Sequence, residues 1–84
     1  MNMKNISDEQ RVAYKELILL LREVDSKQSF FMGVFHELDS DEEKMKMLTW
    51  LRMRKNLTKA DVERKAFEIN APRRKKLQML SHQS

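Results

Sequence analysis

Cysteine is absent from the chain, which rules out a disulfide framework and a thiolate metal site. Glycine and proline occur once each, at Gly33 and Pro72. So little punctuation disfavours a turn-rich β fold and leaves no glycine-rich phosphate loop. The longest apolar run, residues 17–21, is five residues, far short of the ~20 needed to span a bilayer. The opening Met-Asn-Met-Lys-Asn leads into polar Ser-Asp-Glu-Gln, so no signal peptide is expected and a cytoplasmic location is. Histidine is limited to His36, beside Glu37 on a helix, and His82 near the C-terminal end, so no nucleophile, base and orienting group in mutual contact is expected.

Acidic residues are also missing from the C-terminal end. All 13 Asp and Glu lie at or before Glu68, while 13 of the 17 Lys and Arg precede Ala71. The net charge of +4 therefore resides in one run, Arg73, Arg74, Lys75 and Lys76. An 84-residue chain forms one domain and hides only roughly 60–65% of its unfolded surface, so its core is small and association is a common remedy.

What is present reads as helix. Ser7 with Gln10 forms a capping box, followed by Ala13, Leu17, Leu20, Leu21 and Val24 at helical spacing. Ile18 and Leu19 widen that face and suggest burial on more than one side. Residues 25–29, Asp-Ser-Lys-Gln-Ser, interrupt the pattern. Either the helix continues on a heptad seam broken at Lys27, or it breaks and Asp25 caps a new one. Side chains that compete for backbone hydrogen bonds favour the break.

Phe30, Phe31, Val34, Phe35 and Leu38 define the next apolar face, with Gly33 inside it. Such a glycine costs about 1 kcal/mol against alanine, and either close backbone approach or an ordinary surface position accounts for it. Ser40 with Glu43 opens a third helix bearing Met45, Leu48 and Leu51 on one face and Met47, Trp50 and Met53 on a neighbouring one. Asn56 suits a left-handed close, and Thr58 with Asp61 caps a fourth helix on which Leu57 and Val62 form a hydrophobic staple. Asn70-Ala71-Pro72 is expected to stop it, leaving Leu77 and Leu80 to a short final helix.

Motifs for chemistry fail on inspection. Asp39, Asp41 and Glu43 imitate a calcium loop, but its sixth and twelfth positions are Lys44 and Trp50. His36-Glu37 begins like a zinc-protease helix, but Ser40 stands where the second His is required. A helix-turn-helix over residues 58–76 would carry Phe67 and Glu68 in its turn and no glycine.

The expected fold is therefore all-α, a small bundle of three to four helices near 8–25, 29–38, 40–55 and 59–70. Residues 1–6 form a flexible start, 7–70 the helical domain, and 71–84 a basic tail, either a short helix or disordered. The expected function is a non-enzymatic protein-interaction or regulatory module. It would self-associate as a homodimer through Phe31, Phe35, Met47, Trp50 and Met53, with no cofactor, metal, membrane or small-molecule substrate. The alternative is a DNA- or RNA-binding regulator using Arg73, Arg74, Lys75 and Lys76, whose affinity would rest on phosphate contacts. A chain ending at Ala71 is expected to keep its fold.

Overall fold

The computed structural model describes residues 7–83, with side chains described through Leu77. The flexible start expected for residues 1–6 and the side chain of Leu80 lie outside this range. Four helices are seen among the described residues, and no strand: α1 Asp8–Val24, α2 Gln28–Glu37, α3 Asp41–Arg52 and α4 Lys59–Gln83. The main contacts run α1 to α2, α2 to α4, α4 to α3 and α3 to α1, closing a ring around one core. No described helix is long and apolar enough to cross a membrane.

Local chemistry sets most of the ends. Ser7 Oγ accepts from the Gln10 amide and Gln10 Oε1 accepts from the Ser7 amide, completing the first capping box. Thr58 and Asp61 form the same reciprocal pair at the start of α4. Ser40 Oγ accepts from the Glu43 amide, but the reciprocal arm is missing, because the Glu43 carboxylate accepts from the Asp39 amide instead. The chain does break after α1. Asp25 is the C-cap of α1, not the N-cap of α2, and its carboxylate turns the chain by accepting from the Lys27 amide at 2.8 Å. Asn56 has φ 58°, the left-handed value expected of it, three residues past the Met53 cap of α3.

The core is built from Leu17 and Leu21 of α1, Phe30 and Val34 of α2 with Leu38 after it, Met47, Leu48 and Leu51 of α3, and Val62, Ala66 and Ile69 of α4. Ala13, Leu20, Val24 and Leu57 pack around it. Of the two residues expected to widen the buried face of α1, Ile18 is partly buried and Leu19 is half exposed. Gly33 is also settled. It is exposed, its φ is not positive, and a Cβ built on it meets nothing within 4 Å. Close backbone approach does not explain it. Gly33→Ala is accordingly expected to stabilise the protein by about 0.5–1 kcal/mol, read as a higher melting temperature, because alanine gives up less chain entropy in a helix. A lower melting temperature would mean that the α2 backbone is not the regular helix described.

The expected stop at Asn70-Ala71-Pro72 is overturned, since α4 continues through Pro72. Proline inside a helix removes one amide donor and crowds the carbonyl four residues earlier, at a cost of about 3 kcal/mol. Contacts on both sides of it offset that cost. Arg74 Nη2 donates to the Phe67 carbonyl, and Arg73 ties the helix beyond the proline to α2 and α3.

Candidate docking groove

On α3 the buried side chains Met47, Leu48 and Leu51 occupy one side. Glu42, Lys46, Thr49 and Met53 recur at four- and three-residue intervals and form the opposite, outward stripe. Met45 and Trp50 flank this stripe, partly buried against the core. Where α3 meets α4 the surface sinks into a groove of about 600 Å³. Its apolar lining is Met45, Trp50 and Met53 from α3 and Ile69 from α4. Met53 is 71% exposed, the most open of the large apolar side chains here. Cations rim the groove. Arg54 and Lys65 lie 5.6 and 5.8 Å from the centre of the Trp50 ring, within the range of cation–π attraction.

The five residues expected to share one face are divided. Trp50 and Met53 are in the groove. Met47 is fully buried in the core and has no surface to offer in the folded chain. Phe35 packs edge-on against Tyr14 at 5.6 Å and lies under the Lys44 ammonium at 4.5 Å. Phe31 is under the Arg22 guanidinium at 5.7 Å. Met45, placed from sequence on one face with Leu48 and Leu51, is partly buried and belongs to the groove, and the sequence carried no signal that separated it from them.

The basic run is divided as well. Arg73 Nε pairs with Glu43 at 3.0 Å, and its Nη2 donates to the Glu37 carbonyl at 2.8 Å. The Arg74 guanidinium stacks 3.5 Å from the centre of the Phe67 ring and donates to Asn70, which is itself buried and donates to Glu37. Lys75 and Lys76 are exposed. A four-cation phosphate clamp would have to give up these contacts first.

Behind the groove a polar network joins all four helices. Tyr14 donates to Asp41 at 2.7 Å, and Lys44 donates to the Leu38 carbonyl that ends α2. Burial, then the bond to Asp41, pushes the Tyr14 phenol up to about 12. Burial holds the Lys44 ammonium below its ordinary range, against the pull of Asp39, Glu43 and Asp41. The Glu43 carboxyl is held below the usual range, first by the Arg73 hydrogen bond and also by the Asp39 amide, with burial opposing. These groups satisfy one another and fasten α4 to the turn between α2 and α3. Among the described residues no group of three or more side chains is placed to hold a metal ion. No protein-family model, curated protein or solved structure matches the chain.

Proposed function

We propose that the protein is a non-enzymatic interaction module of a regulatory kind, and that it associates with a second copy of itself through the α3–α4 groove. The observation that carries the reading is the groove itself, apolar along its floor, with Met53 largely open beside a partly buried Trp50. Tryptophan is enriched among the residues that dominate binding energy. Methionine adapts its shape to a partner. Homodimer interfaces are more apolar than ordinary surface, and a chain with so small a core gains from the additional burial. A cytoplasmic setting fits the cysteine-free composition.

Light scattering coupled to size exclusion, run from low to high micromolar protein, tests it. The mass is expected to rise from the 10.1 kDa of one chain toward twice that value. Met53→Glu, which places a charge on an exposed site, is expected to hold the protein at the single-chain mass with unchanged helix content. A concentration-independent single-chain mass for the unaltered protein would sink the reading.

A further inference from the structure

We propose that the surface of the second copy that fills the groove is its own α3, lying antiparallel across a two-fold axis. This rests on the self-association reading and adds an orientation to it. The charges along α3 carry the inference. Its first turn is acidic, with Asp41, Glu42 and Glu43, and its end is basic, with Arg52 followed by Arg54 and Lys55. Three of these groups are engaged elsewhere in the chain, Asp41 with Tyr14 at 2.7 Å, Glu43 with Arg73 at 3.0 Å and Arg52 with Glu16 at 2.6 Å. Glu42 and Arg54 remain at opposite ends of the groove lining. Glu42 meets only Lys46, four residues along the same helix, at 3.7 Å, and both side chains are more than half exposed. Exposed pairs of this kind contribute little and exchange partners readily.

A two-fold interface sets the same patch against itself. If the two α3 helices ran parallel, Glu42 would face Glu42 and Arg54 would face Arg54, and like charges would repel at both ends. Run antiparallel, with the axis level with Leu48, they bring Glu42 of each copy to Arg54 of the other. In the same register Lys46 comes level with the exposed side of Trp50 of the second copy, and Met53 falls two residues, about 3 Å, from the level of Met45 across the seam. Apolar groove, cationic rim and acidic first turn are then matched in one arrangement. A contact confined to one helix and its groove belongs to the small interface class, below ~1,200 Å², so micromolar association is expected.

Exchange of the two charges tests the orientation, using the full chain. Glu42→Arg and Arg54→Glu are each expected to weaken self-association by roughly tenfold or more, since each sets like charges together at both ends of the seam. An equimolar mixture of the two variants is expected to associate again, as a heterodimer. At one end of that seam the introduced arginine meets the introduced glutamate, and at the other the retained Arg54 meets the retained Glu42. The doubly exchanged chain is expected to form homodimers. Circular dichroism checks that each variant keeps its helix content. Single variants that associate like the original, or a mixture that stays monomeric, would overturn the antiparallel seam. If Met53→Glu still dissociates the protein in that case, the groove reading survives without the orientation. A monomeric original protein would remove both.

Discussion

Met47→Ala is expected to lower the free energy of unfolding by about 3 kcal/mol, while Met53→Ala, six residues further on, changes it by no more than about 0.5 kcal/mol. Met47 is fully buried, so its truncation removes apolar contact and leaves a cavity inside the ring of helices. Met53 is mostly exposed, so its truncation removes little from the folded chain. The contrast reverses for association. Met53→Ala is expected to weaken it, because that side chain reaches into the seam, and Met47→Ala to leave it unchanged under conditions where the variant is still folded. The larger effect is a sizeable fraction of the whole, since domains are stable by about 0.05–0.15 kcal/mol per residue. Urea unfolding at low protein concentration, followed by the fluorescence of the one tryptophan, measures the first quantity. Light scattering measures the second. Equal unfolding midpoints for the two variants would show that the faces of α3 have been assigned the wrong way round.

The same two residues show what a sequence reveals and where it stops. Their separation of six residues sets them about 120° apart around a helix, too far to point the same way. That much was legible. Trp50 lies between them, about 60° from each, and this continuity is why the three read as one stripe. Met47 is the end that turns inward, with Leu48 and Leu51 one and four residues on and the buried Val62, Ala66 and Ile69 of α4 in the same core. Helix starts were legible because capping is local: Ser7, Ser40 and Thr58 all accept from the amide three residues on. Pro72 was misread for the opposite reason. The backbone rule for the residue before proline is also local, but α4 is held beyond it by Glu37 and Glu43, which lie 36 and 30 residues away in sequence. The division of the aromatic residues was hidden in the same way. Phe31 and Phe35 lie at helical spacing with the rest of the apolar row, but α2 does not line the groove, and their partners Arg22, Tyr14 and Lys44 are distant in sequence.

The pairing of Glu43 with Arg73 yields the second large effect. Glu43 is buried and accepts from Arg73 Nε at 3.0 Å, from Arg73 Nη2 at 3.2 Å and from the Asp39 amide at 3.0 Å. Glu43→Ala is expected to cost about 2 kcal/mol, because it removes a buried charge-assisted acceptor and leaves Arg73 with only the Glu37 carbonyl as a hydrogen-bond partner. Arg73→Leu is expected to destabilise in the same direction, since it leaves a buried carboxylate beside one amide. Replacing both residues by leucine is expected to recover part of either loss, because the two charges leave the interior together. The pair also sets a pH dependence. The folded-state pKa of Glu43 is depressed, so its contribution is complete above the unfolded value of about 4.3 and is lost as pH falls through the lower folded value. Melting temperatures of the original protein and of Glu43→Ala should therefore differ at neutral pH and converge in acid. Asp25 and Asp61, held low chiefly by the Lys27 and Thr58 amides, contribute an acid decline common to both proteins. A gap that stays constant from neutral pH into acid would mean that Glu43 matters for its packing and not for its charge. The pair also adds a cost in stability to the expectation for a chain ending at Ala71. Such a chain lacks Arg73, leaves Glu43 buried without its cation, and is expected to melt below the full-length protein even though, among the described residues, every core side chain precedes the cut.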